Sequence, residues 1–132
     1  MKKKIIGKEE WCAFPNIGIP GIKAKTDSGA RTSALHAFNI RYVDEADTTY
    51  VHFDVHPLQR NSKILAACRA TFIGKRTVKS SSGSKEKRPV IKTIVQLGAE
   101  SWEIEVTLTD RDTMGYRMLL GREAMEHRFL ID

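Results

Sequence analysis

Apolar and polar residues alternate along most of this chain with a period of two. Trp102-Glu103-Ile104-Glu105-Val106-Thr107-Leu108-Thr109 alternates without a break, as a strand does when one face is buried and the other meets water. Val51-His52-Phe53-Asp54-Val55-His56 repeats the pattern. Residues 22–26, 34–43, 64–73 and 89–97 also read as strands. Turn-forming residues separate them: Pro15-Asn16, Pro20-Gly21, Pro57, residues 80–84, Gly98 and Gly115. Only Arg122-Glu123-Ala124-Met125-Glu126-His127, directly after Gly121, has helical character, over about two turns. Many short strands and one late helix predict an all-β fold, a small barrel or sandwich with one short C-terminal helix.

At 132 residues the chain has room for a single domain, 1–132. A cleft that needs two lobes would have to come from two copies. The hydrophobic content of 41% is enough for a packed core. No window approaches the run of about 18 apolar residues that a membrane helix needs, so no membrane partner is expected. The basic start, Met1-Lys2-Lys3-Lys4, is followed by Glu9 and Glu10 where a signal peptide needs its apolar run. A cytoplasmic location is the expectation. Cys12 and Cys68 match no metal spacing and sit among apolar residues, as reduced, buried thiols would.

The formal net charge is +6, which points to an acidic partner. The excess is concentrated in Lys75, Arg76, Lys79, Lys85, Lys87, Arg88 and Lys92, opposed in that segment only by Glu86. Ser80-Ser81-Ser82-Gly83-Ser84 lies in the middle and reads as the flexible tip of a long hairpin, about residues 75–92. Such a hairpin is either a solvated surface or a guide for an anionic ligand. Few aromatics interleave with the basic residues, which argues against nucleic acid as the partner.

Two short pieces carry candidate chemistry. Asp27-Ser28-Gly29 ends a strand, and Met118-Leu119-Leu120-Gly121 is an apolar strand closed by glycine just before the helix. In this order, inside an all-β chain, the pair resembles the retropepsin-like aspartic proteases. The resemblance implies a small closed barrel of the acid-protease type. It implies that Asp27 is the catalytic carboxylate, that the Ser28 hydroxyl braces its loop, and that Gly29 brings backbone N–H groups to the carboxylate. Leu119, Leu120 and Gly121 would form the supporting strand beneath the loop, and the basic hairpin the flap.

A longer resemblance runs through Glu10-Trp11, residues 23–36, Lys79-Ser80-Ser81, Arg88-Pro89-Val90-Ile91, Leu108-Thr109-Asp110-Arg111 and Met118-Leu119-Leu120-Gly121-Arg122. These stretches are similar to a bacterial family, RimB-like and RimK-associated, that is usually labelled an ATP-dependent zinc protease. That family is associated with ATP-grasp ligases that add glutamates to a ribosomal protein, so the resemblance implies a glutamate-modified ribosomal protein as substrate. The residues themselves offer no zinc or ATP motif. His52 and His56 lie on one strand pattern, about 13 Å apart, too far to share an ion. There is no His-Glu-x-x-His, and Gly74-Lys75-Arg76-Thr77 lacks the phosphate-loop spacing. No cofactor or metal site is assigned, and His36, nine residues after Asp27, is the histidine best placed for a site role.

One carboxylate cannot easily activate water and also donate a proton. Two held about 3 Å apart share one proton and can do both. The sequence holds one Asp-Ser/Thr-Gly triplet, because Asp47-Thr48-Thr49 and Asp112-Thr113-Met114 lack the glycine. The dyad is therefore expected across the twofold axis of a homodimer. Many retropepsins carry a second Asp two residues after the triplet glycine, paired with the arginine after the later glycine. Here those places hold Arg31 and Arg122. Arg122 is then left to Glu123, Glu126 or another acid, and Arg31 to the cleft, where with Lys79 and Arg88 it would bind acidic substrate side chains. Two further readings remain open. One is a barrel that binds an acidic peptide or partner without cleaving it; the other is nucleic-acid binding through charge alone.

Overall fold

The computed structural model describes residues 4–57, 63–79, 83–110, 116–126 and 128–131. The alternating segments form β1 (Lys4–Ile6), β2 (Glu9–Phe14), β3 (Ile19–Asp27), β4 (Ser33–His36), β5 (Phe38–Glu45), β6 (Thr48–Val55), β7 (Ala66–Lys79), β8 (Lys85–Leu97), β9 (Glu100–Thr109), β10 (Met118–Gly121) and β11 (Phe129–Ile131). One helix, α1 (Arg122–Met125), and a 3₁₀ turn at Pro15–Ile17 complete the described elements. The predicted all-β class holds.

Nine strands form one sheet in the order β2-β3-β10-β4-β9-β8-β7-β6-β5. Ala13 of β2 also pairs with Gln96 of β8, so the first six strands of that order close into a barrel. The alternation in β8 and β9 fills it. Ile91 pairs with Val106, Thr93 with Ile104 and Val95 with Trp102, and all six side chains are buried. Phe14, Ile19, Ile22, Leu35, Leu108, Met118 and Leu120 extend this core. β1 and β11 pair separately as a parallel two-stranded sheet.

The stretch 34–43, expected as one strand, is two. β4 ends at His36, the backbone N–H of Ala37 bonds to the Thr109 carbonyl, and Asn39 takes a positive φ of 55°. β4 lies beside β9, whereas β5 lies at the far edge, beside β6. One residue joins them, so the strands between must curl to bring the two ends together. The helix, expected over 122–127, spans one turn. The carbonyl of Ala124, which a second turn would use, accepts instead from the Trp102 indole N–H at 3.0 Å. His127 lies outside the described residues.

The hairpin of β7 and β8 contains a bulge. The register shifts between Phe72 and Gly74, and Gly74 has φ +139°, which only glycine adopts freely. On β8 the inward face changes parity there, so Pro89, Val90 and Ile91 are buried in succession. Beyond the bulge, Arg76, Val78, Glu86 and Arg88 face inward and half-buried, while Lys75, Thr77, Lys79, Lys85 and Lys87 face outward.

Cys12 and Cys68 are both buried and unpaired. Burial pushes each thiol up to about 12, and the nearby Asp54 carboxylate adds to the effect at Cys68. A thiol reagent at pH 8 should therefore label neither cysteine until the chain unfolds, and rapid native labelling would contradict this burial. Because the folded state holds these protons more tightly, stability should fall as pH rises from the unfolded value of 9.0 toward 12. Urea midpoints across that range, compared between wild type and Cys12→Ala, measure it.

Candidate active site

β3 and β4 are consecutive in sequence, yet β10 lies between them. β10 runs parallel to β3, with Gly121 opposite Asp27, and antiparallel to β4, with Met118 opposite Leu35. The loop of residues 28–32 must therefore cross the end of β10. A Cβ on Gly121 would lie 2.5 Å from the Thr32 carbonyl carbon and 2.9 Å from the Ser33 nitrogen. Glycine is required because the crossing leaves no space. The Gly121 N–H donates to Ser33 Oγ at 3.0 Å, and Arg122 N–H donates to the Ala30 carbonyl at 2.7 Å. Glu123 N–H donates to the Arg31 carbonyl at 3.1 Å. Leu120 and Gly121 are buried and Leu119 half-buried, so the apolar strand does lie beneath the loop.

This crossing fixes the turn that presents Asp27. The Gly29 N–H donates to Asp27 Oδ1 at 2.9 Å, and the Ala30 N–H to the Asp27 carbonyl at 3.2 Å. A Cβ on Gly29 would meet Oδ1 at 3.2 Å, so glycine gives the carboxylate room. Asp27 is half-buried, and among the described residues Oδ2 has no hydrogen-bond partner. Ser28 is exposed at the apex, and its hydroxyl likewise has no partner among the described residues. Within one chain the bracing is done by two hydroxyls that motif reading passed over. Ser33 is one; Thr26 is the other, donating to the Gly7 carbonyl at 2.7 Å. Their parity was the available signal. Ser33 shares the inward face with Leu35, and a buried hydroxyl needs a partner.

Arg31 is brought together with Glu123. Its Nε lies 2.6 Å from Glu123 Oε1, and Arg76 Nη1 lies 3.8 Å from Oε2 of the same carboxylate. Arg76 also bonds Glu105 at 3.1 Å. The pairing with Glu123 thus falls to Arg31, not Arg122. Among the described residues the Arg122 side chain makes no ion pair. Arg88 is only 11% exposed and pairs with Glu86 at 3.2 Å, while Glu86 also accepts from the Thr109 hydroxyl at 3.1 Å. Lys79 stands opposite Lys85 on the outward face of the hairpin. Ser80, Ser81 and Ser82 at its tip, like Arg111 to Gly115, lie outside the described residues.

His36 sits at the opposite end of β4 from Ser33, about 10 Å along the strand. Arg117 Nη1 approaches its Nδ1 at 3.1 Å and the Asp110 carbonyl lies 3.1 Å from its Nε2. An arginine can only donate, so Nδ1 accepts and Nε2 carries the proton. His52 lies on β6, and His56 follows it, bonded to the Ile64 carbonyl and stacked on Phe38. Among the described residues no three His, Cys, Asp or Glu side chains converge as metal ligands would. No helix among them is long and apolar enough to cross a membrane.

The roles of the two serines separate experimentally. Ser33→Ala leaves the Gly121 N–H buried without a partner and should cost about 1–3 kcal/mol. Ser28→Ala should shift the stability of the isolated chain by no more than about 0.5 kcal/mol. Gly121→Ala should be the most damaging of the three. Urea denaturation checks the order, and equal losses for the two serines would contradict the assignment.

Comparison with known proteins agrees with the fold. The family model described as "RimB-like: Retropepsin-like aspartic endopeptidase RimB" matches residues 5–132. A relative from Shewanella pealeana, named a probable alpha-L-glutamate ligase, is 55% identical over 130 residues, covering 98% of this chain. One of the same name from Parasynechococcus marenigrum is 50% identical over 131 residues, covering 99% of this chain. The chain spans only 28% of the length of these curated relatives. A crystal structure of a Legionella pneumophila protein of unknown function superposes with a TM-score of 0.82 at 29% identity, covering 99% of this chain and 94% of that one.

Proposed function

The chain belongs to the RimB-like family of retropepsin-like aspartic endopeptidases, and from that premise we propose that it hydrolyses a peptide or isopeptide bond in an acidic, glutamate-rich protein tail. The observation that carries this reading is the Asp27 turn: a half-buried carboxylate with one oxygen tied to Gly29 and the other free of described partners. Each chain supplies one such carboxylate, so two copies related by a twofold axis complete the dyad. Ser28, exposed and unpartnered at the same apex, is available to brace that contact.

In the dyad the ionised Asp27 takes a proton from a shared water, which attacks the scissile carbonyl. The protonated Asp27 of the second copy donates to the carbonyl oxygen, giving a tetrahedral intermediate. Collapse expels the amine, which receives a proton from the dyad. Two features favour an acidic substrate. One is the net charge of +6, with lysines along the outer face of the β7–β8 hairpin. The other is the ligase name of the longer relatives. A chain segment like this one, carried with glutamate-adding chemistry, has a glutamate tail at hand as substrate. A glutamate-modified ribosomal protein in the cytoplasm fits both. Binding of an acidic peptide without cleavage is the second reading, favoured by the single carboxylate per chain.

Asp27→Asn should lower hydrolysis of a glutamate-tailed peptide by about 100- to 10,000-fold while leaving the melting temperature within a few degrees. Mass spectrometry of the products measures it. The specific activity of wild type should also fall on dilution as dimers dissociate. Equal cleavage by wild type and variant would remove the catalytic role, and activity independent of dilution would remove the shared dyad.

A further inference from the structure

Glu123 occupies an unusual place for an acid in a chain read as binding acids. Its two carboxylate oxygens face two guanidinium groups from different elements: Arg31, just past the Asp27 turn, and Arg76, on the inward face of the β7–β8 hairpin. The three side chains are open to solvent, with Arg31 73% exposed, Glu123 40% and Arg76 32%. Exposed pairs of this kind are weak and exchange readily. Nor does the side-chain pair have to hold α1 to the loop. The backbone bonds from Arg122 to Ala30 and from Glu123 to Arg31 already do so.

We propose that Arg31 and Arg76 form a subsite for a substrate carboxylate, and that Glu123 fills it in the free protein as a built-in competitor. This rests on the acidic-substrate reading and adds to it a residue that lowers affinity. An incoming glutamate side chain meets the same two guanidinium groups and releases Glu123 to water. Arg76 brings the hairpin into that contact, so binding links the hairpin to the Asp27 loop. Glu105, which also bonds Arg76, stays in place during the exchange and fixes the guanidinium orientation. The exchange conserves the count of ion pairs, which makes the subsite selective for carboxylates over neutral side chains.

The test is a binding titration with a fluorescent oligoglutamate peptide, using Asp27→Asn chains so that nothing is cleaved. Glu123→Gln should bind about two- to fivefold more tightly than its parent, the size of one exposed ion pair. Glu45→Gln is the matched control, because it makes the same charge change and frees Arg69 from an exposed pair elsewhere. It should change affinity less than twofold. Arg76→Ala, added to Glu123→Gln, should erase the gain, and alone it should weaken binding. An oligoglutamine peptide should not distinguish the variants. If the parent binds oligoglutamate but Glu123→Gln binds no better than Glu45→Gln, the competitor role is overturned while the acidic-substrate reading stands. If none of the variants binds oligoglutamate, the acidic-substrate reading falls and the subsite with it. Should Glu123→Gln prove unstable in its melting curve, Arg76→Ala alone decides, since unchanged affinity there overturns the subsite.

Discussion

The structure depends on one close approach, the passage of residues 28–32 over the end of β10. A strand inserted between two sequence neighbours forces their connecting loop across its own end. The loop reaches Gly121 closely enough to exclude a Cβ, and that proximity lets Ser33 receive the otherwise unpaired Gly121 N–H. Backbone bonds from Arg122 and Glu123 then fasten the loop to the start of α1. The Asp27 turn is a consequence of this crossing. The carboxylate is positioned by backbone at the junction of three strands, which is stiffer than a side-chain brace would be.

The barrel around that junction is held by apolar packing, with hydroxyls serving the polar groups inside. Thr93 reaches Asn16 Oδ1, Thr107 reaches the Ser33 carbonyl and Thr109 reaches Glu86. The first two link elements that are distant in sequence, and the third joins the neighbouring strands β8 and β9. The Thr107 bond is especially placed, because it ties β9 to the residue that supports Gly121. Buried hydroxyls with partners cost little, and they fix register where apolar contacts alone would tolerate slippage.

Charge is organised by the same backbone geometry. The bulge at Gly74 reverses which side chains of β8 face inward, and it thereby turns Arg88 in and Lys85 and Lys87 out, on the same sides as Arg76 and Lys75 of β7. The inward Arg76 meets Glu105 and Glu123 in solvent-open pairs, and Arg88 meets Glu86 in a more buried one. The outward lysines have no such acids opposite them on the hairpin. Arginine suits the first task because its planar donors can hold a carboxylate in a set direction, and lysine suits the second as a strongly hydrated point charge.

The period-two pattern determined the β class, and most strands follow from it, because alternation reports directly on a sheet with one buried face. The short helix after Gly121 and the Asp27-Ser28-Gly29 turn were likewise legible, since glycine and short polar residues act locally. Tertiary structure decided what depends on remote neighbours. It split 34–43 at Ala37, because β4 lies inside the sheet between β10 and β9 whereas β5 lies at its edge beside β6. It shortened α1, because the Trp102 indole takes the Ala124 carbonyl. It chose Ser33 over Ser28 as the brace within the chain, and Arg31 over Arg122 as the partner of Glu123. Local sequence fixes which way a side chain points along its own strand; only folding fixes which distant group waits there.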